Sequence, residues 1–340
     1  MKQPLVSVTI VTWNSEKDIL QCLASVQNQS YPRVEIIVVD NASDDTTIRL
    51  VEEHFPHILI IRNNANRGFS AGQNQAINAG RGDFVLLLNP DVVIADDYVS
   101  AMVKAATTHP SIGMITGKLW RYTTQEGPII DTTGIIITRN NRHLDRGFDA
   151  VDRGQYDDPC LVFGVSGCCA FLKREMLEDI SFEGEYLDED FFAYREDVDL
   201  AWRAQWRGWR ALYVPHAQGF HARKVHPDNR NELPPLVNYH SSKNRFLLRI
   251  KNQPLSLMLR FIVPTTWRDL QLLAQLFGRE WSSIPALFDV IKLLPRFMKK
   301  RRFVLQRRRV TDASMKRWFY HEALPLSALE PEGDNSGGSR

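Results

Sequence analysis

Residues 188–203 read Asp-Glu-Asp-Phe-Phe-Ala-Tyr-Arg-Glu-Asp-Val-Asp-Leu-Ala-Trp-Arg, with six carboxylates in the twelve positions 188–199. Aromatic and aliphatic residues are interleaved with them, so the stretch is not a solvated acidic tail and must fold against something. Carboxylates placed this way need a metal, a cation or a proton to move. Helical signals run from Arg195 to Gly208 and put Glu196 and Asp197 in a first turn, where the helix dipole favours the ionised form. Such a position suits a general base. Asp199 and Arg203, four residues apart, read as a structural pair. Trp202, Trp206 and Trp209 form a stripe that belongs to a core.

A second set of polar residues stands at the ends of apolar runs. Residues 6–12 lead into Trp13-Asn14-Ser15, and 34–39 stop at Asp40-Asn41-Ala42-Ser43. Residues 58–61 precede a polar turn from Arg62 to Gly68, and 84–88 end at Asn89-Pro90-Asp91. Helical spacing fills the gaps at 16–29 and 44–54, and in a third helix capped by Ser70 and running through Ala79. Runs that are apolar at every position are buried on both faces, as in a parallel sheet wrapped by helices. The fold class is therefore α/β, doubly wound. Ligands of such sheets sit at the carboxyl ends of the strands. Thr12, Asn14, Asp40, Asn41, Asn63, Asn64, Asn89 and Asp91 all lie there, although each alone is also ordinary turn chemistry. Residues 112–172 read as β-rich, with strands at 135–138 and 161–163. The turn Gly164-Val165-Ser166-Gly167 fits either a tight loop under a substrate or a plain β turn. A strand at 211–214 leads to two histidines, His216 and His221.

Bulk properties narrow the function. The 340 residues are 44% hydrophobic and 24% charged, ordinary for a globular protein. Four scattered cysteines include no Cys-x-x-Cys pair, so zinc and thioredoxin chemistry are disfavoured and reduced thiols in a cytoplasmic setting are expected. The N-terminus lacks a signal-peptide pattern, and no run of eighteen apolar residues occurs. The net charge of +2 conceals an asymmetry: residues 241–310 hold sixteen Lys/Arg against three Asp/Glu. There, basic and apolar residues alternate at helical spacing, with prolines 254, 264, 285 and 295 breaking the pieces. Leu293 to Met298 beside the basic clusters reads as interfacial, which fits an anionic membrane surface; a solvated helical subdomain is the alternative. Nucleic acid is not expected, because aromatic-basic interleaving is missing. No Gly-x-Gly-x-x-Gly follows the first strand, and Gly-x-x-x-x-Gly-Lys and Gly-x-Ser-x-Gly are absent. What remains is an α/β sheet with carboxylates at its edge and a second carboxylate cluster about a hundred residues on. That division suits transfer from a nucleotide diphosphate. One carboxylate holds a hard divalent cation against the phosphates and the other deprotonates an incoming hydroxyl.

Over roughly residues 5–225 the chain resembles the inverting nucleotide-sugar glycosyltransferases of family 2, with the GT-A fold, and the motifs fall in that family's order. Thr12-Trp13-Asn14 is similar to the motif lining the nucleotide base. Asp40-Asn41 is similar to the second-strand motif that binds base or ribose. Asn66-Arg67-Gly68-Phe69-Ser70 resembles the loop beside the nucleotide. Asn89-Pro90-Asp91 stands where the family has Asp-x-Asp, which implies Asp91 as metal ligand with Asn89 beside the donor. Gly167 and, less directly, Asp188 and Asp190 are implied on the acceptor side. The Glu196-Asp197 pair implies Asp197 as general base. His221, more than His216, resembles the histidine that adds a metal ligand in several members. The implied cofactor is Mg2+ or Mn2+. The implied donor is a dTDP- or UDP-sugar, and the acceptor a saccharide or polyprenyl-linked saccharide. Asn89 departs from the family by removing one charge from the metal site. The Asn-Pro-Asp form resembles the family's rhamnosyltransferases, which use dTDP-rhamnose to build bacterial surface polysaccharides. The expected organisation is a GT-A domain over 1–240 (donor half 1–110, acceptor half 111–240), a basic helical region over 241–320, and a tail without fixed structure over 321–340. The expected location is cytoplasmic, peripheral on the inner face of the membrane. Two rivals of other classes are a nucleotidyltransferase, which usually carries a Gly-rich basic loop absent here, and a silent nucleotide-sugar-binding module.

Overall fold

The computed structural model describes residues 3–121, 127–223, 234–278 and 280–329. Its first half alternates as the sequence predicts: β1 (Val6–Thr12), α1 (Ile19–Gln27), β2 (Val34–Asp40), α2 (Thr47–His54), β3 (Leu59–Arg62), α3 (Gly68–Ala79) and β4 (Phe84–Leu88). Alternate residues of β1 and β2 point to opposite faces. Val8, Ile10 and Val38 share a core with Ile19, Leu23 and Val51 from α1 and α2. Val11, Ile37 and Val39 pack with Ala76 of α3. Because both faces are covered, every position of β1 is buried, the polar Ser7, Thr9 and Thr12 included. β3 is the exception, with Leu59 half exposed, because it is the outer strand of the sheet and has one neighbour.

The second half begins with β5 (Val92–Ile94), α4 (Tyr98–Ala106), β6 (Ile112–Arg121), β7 (Ile130–Thr132), β8 (Ile135–Ile137), β9 (His143–Asp145), β10 (Cys160–Val162) and β11 (Cys169–Lys173). α5 (Arg174–Ile180), α6 (Glu196–Trp206) and β12 (Arg210–His221) complete it. The sheet runs β10-β12-β6-β11-β4-β1-β2-β3, with β5 on β12 and β7 on β6. β3, β2, β1, β4, β6 and β12 share one direction, while β11 and β10 run against them. The sheet is therefore mixed but mostly parallel. β12 is longer than the predicted strand because a bulge between Val214 and Gln218 absorbs Pro215 and carries the ladder on to His221.

The C-terminal region is helical: α7 (Pro235–Asn252), α8 (Leu255–Arg260), α9 (Ile262–Gly278), α10 (Pro285–Gln306) and α11 (Asp312–Arg317). It starts at Pro235, before the expected boundary at 241. Its prolines do not all break helices. Pro264 sits in the first turn of α9, where a missing N–H costs nothing, and Pro295 lies inside α10. The tail expected from 321 is ordered as far as 329, since Leu161 and Leu324 exchange backbone hydrogen bonds at 2.8 Å in both directions. Residues 330–340 lie outside the described residues. No helix among the described residues is long and apolar enough to cross a membrane.

Candidate active site

α6 begins at Glu196, so Glu196 and Asp197 occupy its first turn. Asp197 Oδ2 accepts from the N–H of Gly167 at 3.0 Å, and Oδ1 from Val198 at 2.7 Å. The Gly164–Gly167 turn is thus the direct neighbour of Asp197. A Cβ on Gly167 would lie 3.4 Å from that of Asp197. Burial raises the pKa of Asp197; the Gly167 N–H opposes this and Asp145 adds to it. Glu196 is raised further, by burial and then by the charge of Asp197. Its Oε2 is buried without a hydrogen-bond partner.

The segment leading into this turn is strained. Phe192, Tyr194 and Arg195 have φ of 67°, 69° and 74°, which non-glycine residues seldom adopt. Asn244 of α7 supports it. Its side-chain amide donates to the carbonyls of Phe191 and Ala193 at 2.9 Å and of Tyr194 at 2.7 Å. From the other side, Ser70 N–H donates to the Phe192 carbonyl at 3.1 Å. Gly68, at φ 85°, leaves room for Phe192, whose ring and carbonyl would lie 2.6 Å from a Cβ there. Ser70 is therefore not the expected N-cap: α3 starts two residues earlier, and Ser70 uses its backbone to hold the base-side loop.

The candidate metal ligands meet at the ends of β4 and β12. His221 Nε2 lies 3.3 Å from Asp91 Oδ1, and its Nδ1 contacts Asp131 Oδ2 at 2.8 Å. Arg223 pairs with Asp131 at 2.7 Å and with Asp145 at 2.9 Å. Ligands side by side on a cation at about 2.1 Å stand about 3 Å apart, so Asp91 and His221 fit a hard divalent ion. Asp131 is then the carboxylate that orients the ring, as behind metal-binding histidines generally. Burial works against a charged His221, yet Cys168, Asp131 and Asp91 push its pKa up to about 12. A cation bound here takes the place of that proton. Asp131, Cys168 and His221 also bring ligand atoms within 4.8 Å of one another. Asp131 is already matched by Arg223, and a sulfur suits softer metals, so this set is the weaker fit to Mg2+ or Mn2+. His216 is exposed at the bulge and stands apart from the cluster.

The strand-end residues lie along one edge of the sheet. Thr12 is level with Asp40 across β1 and β2, and β4 lies on the other side of β1. Thr12 Oγ1 is buried without a partner, and Trp13 is exposed. Asp40 is turned back onto Ser43, whose hydroxyl donates to it at 2.6 Å. Asn14 holds the same turn by accepting from Asp44 N–H. Asn41 donates to the Gly68 carbonyl at 3.0 Å and fixes the Arg67-Gly68 loop. Asn89 N–H donates to the Cys168 carbonyl at 2.8 Å, so the Asp91 loop and the Gly167 loop are next to each other.

Asp188 and Asp190 do not join this set. Asp188 is buried between Lys251 (2.7 Å) and Lys300 (2.5 Å), and Asp190 bonds Lys300 (2.7 Å) and Arg296 (2.8 Å). Enclosed this way, Asp188 has no surface to offer an acceptor. Sequence reasoning missed Asp131, Arg223, Asn244, Lys251 and Lys300, whose partners lie tens of residues away.

A candidate base and a candidate cation-binding pair on neighbouring segments, at the carboxyl edge of this sheet order, fit the GT-A glycosyltransferase fold. The family model "Glycosyl transferase family 2" matches residues 7–181, and the chain belongs to that family, a glycosyltransferase of inverting type. It is 26% identical over 270 residues, 71% of this chain and 83% of the relative, to N-acetylglucosaminyl-diphospho-decaprenol L-rhamnosyltransferase of Mycobacterium tuberculosis. It is 22% identical over 214 residues to poly-beta-1,6-N-acetyl-D-glucosamine synthase of Staphylococcus epidermidis, covering 62% and 48% of the two chains. Among solved structures, GalNAc-T7 with UDP, GalNAc and Mn2+ superposes with TM-score 0.59 at 14% identity, covering 74% of this chain and 48% of that one. S. aureus TarS 1-349 with UDP-GlcNAc gives 0.55 at 18%, covering 93% and 89%. At these identities the solved structures speak for the fold.

Proposed function

We propose that the chain transfers L-rhamnose from dTDP-rhamnose to a hydroxyl of a saccharide or polyprenyl-linked saccharide acceptor. The setting is assembly of bacterial cell-surface polysaccharide at the cytoplasmic face of the membrane. The observation that carries the transferase reading is the pairing of Asp197, a buried carboxylate of raised proton affinity, with the Asp91–His221 site on the adjoining loop. The rhamnosyl choice is supported by Asn89-Pro90-Asp91 and by the mycobacterial relative, whose name specifies L-rhamnose and a decaprenol-linked acceptor.

Asp197 takes the proton of the acceptor hydroxyl while two backbone N–H groups fix its carboxylate. Burial keeps its affinity for that proton above an ordinary aspartate's, which strengthens it as a base. The acceptor oxygen bonds to the anomeric carbon as the bond to the diphosphate oxygen breaks on the opposite face, so configuration inverts. Asp91 and His221 would hold a divalent cation, Mg2+ or Mn2+, which would supply the counter-charge for the leaving nucleoside diphosphate. Thr12, Trp13, Asn14, Asp40, Asn41, Arg67 and Gly68 line the donor side.

A panel of dTDP- and UDP-sugars, assayed for hydrolysis and transfer with Mn2+, Mg2+ or EDTA, tests this. Turnover of dTDP-rhamnose alone is the expected result, lost in EDTA and in Asp91→Ala. Turnover of a different donor would replace the rhamnosyl reading. Binding without turnover of any donor would favour a silent module.

A further inference from the structure

The C-terminal helices have two unlike faces. The inner face is tied to the catalytic domain through Asn244, Lys251 and Lys300. The outer face is bare. On α9, residues 262, 263, 266, 267, 270, 271, 274 and 277 are exposed, the repeat of one helix face. That face carries Val263, Trp267, Leu270 and Phe277, and Val263 is 77% and Trp267 66% exposed. The pattern continues into Trp281, at 70%, and Phe288, at 68%. A contiguous apolar helix face of this kind on a folded protein marks an interaction surface.

Charge identifies what it meets. Among the described residues, every exposed charge on α8, α9 and α10 is positive: Arg260, Lys292, Arg296, Lys299 and Arg302. The three acids of 241–310 are turned inward. Asp269 bonds Arg245 and Arg249, Glu280 accepts from Gln275, and Asp289 accepts from Tyr239. Arg296 and Lys299 are partly matched by Asp190 and Glu183, while Arg260, Lys292 and Arg302 add further positive charge to these helices. Exposed tryptophan and aliphatic residues on helices whose exposed charges are all basic are the composition of a surface that lies in an anionic bilayer interface. At 17 residues α9 is too short to span comfortably, which fits lying on the membrane.

We infer that the solvent face of α9, continued by Trp281 and Phe288, seats the protein on an anionic lipid bilayer. This extends the lipid-linked acceptor proposed above. Its test reads binding rather than transfer, so either can fail alone.

The full chain is floated with phosphatidylcholine vesicles with or without phosphatidylglycerol, at low and high salt, while tryptophan quenching by brominated lipid is followed. Flotation with the anionic vesicles and quenching of the native protein are expected. The Val263→Ser/Trp267→Ser/Leu270→Gln variant is expected to lose about tenfold or more in partitioning. Lys292→Glu/Arg302→Glu is expected to lose only the salt-sensitive part. Both should keep their melting temperature and their turnover of nucleotide-sugar in solution. Absence of native flotation, or flotation of the triple variant equal to native, overturns the inference. So does concentration-dependent self-association that the triple variant abolishes, which would make the face a dimer contact.

Discussion

One acidic stretch serves two purposes, and its two halves are built differently. Asp188, Asp190 and Asp199 are met by lysine and arginine. Lys251 bridges Asp188 and Asp199 at 2.7 and 2.8 Å, Lys300 bridges Asp188 and Asp190, and Arg203 closes on Asp199 at 2.8 Å. Against the cost of burial, the two lysines hold Asp188 well below the usual carboxylate range. What reaches Asp197 instead is backbone N–H, and burial leaves it and Glu196 with raised proton affinity. Cation-matched carboxylates hold the fold together. A carboxylate oriented by dipoles alone keeps its capacity to take a proton, which is why perturbed values cluster at working sites.

The largest effect should come from breaking the second half. Asp197→Asn keeps the side chain's shape and one of its two accepted N–H bonds, since the amide nitrogen cannot accept the other, and it removes the proposed base; transfer should fall on the order of 10^3-fold. Donor affinity by calorimetric titration should be nearly unchanged. Retained turnover would put Asp197 in the same structural class as Asp199. The matching experiment on the first half is Lys300→Met, which strands Asp188 and Asp190 with fewer cations. Stability in urea should drop by about 3 kcal/mol, the usual result of removing one partner of a buried pair. Turnover per folded molecule should hold. Adding Asp188→Asn to Lys300→Met should recover part of the loss, and additive losses instead would show that the two residues are not coupled.

Much of this contrast was out of reach of the sequence. The Glu196-Asp197 pair and its place in a first turn were legible from helical spacing over 195–208, although Trp209, read into the tryptophan stripe, lies past the end of α6. β1, β2 and β4 were legible because burial on both faces leaves runs rich in Val, Ile and Leu, unbroken in β4 and interrupted only by Ser7, Thr9 and Glu35 before the polar strand ends of β1 and β2. β6 was not, since Gly113, Gly117 and Lys118 interrupt its pattern; Lys118 is buried there only because Asp152 and Asp157 meet it. His221 could be ranked above His216 only by resemblance. The difference is a bulge that turns one outward and carries the other to Asp91. Lys251 and Lys300 read as part of a uniformly basic region, yet the fold turns them inward while Lys292 and Arg302 stay outside. Spacing along the chain carries no record of such long-range pairing.

Two finer variants sharpen the comparison from inside the second half. Asn244→Ala removes the donor shared by three carbonyls and frees the positive-φ residues Phe192, Tyr194 and Arg195 to relax. Because Asp197 follows directly, kcat should fall about tenfold through misplacement of the base, with the KM for donor unchanged. A fall in thermal stability with kcat preserved would make Asn244 a structural clamp only. Glu196→Gln should have the smallest and most diagnostic effect. Burial, then the charge of Asp197, raises the pKa of Glu196, so the folded protein holds this proton more tightly than the unfolded chain. Its contribution to stability is complete in acid and is lost as pH rises through the folded value. Glutamine suffers no such loss. The variant should therefore melt with the native protein in acid and above it at neutral pH, the gap widening as pH rises. A gap that is constant with pH would mean that Glu196 is not a carboxyl of raised proton affinity in the folded protein.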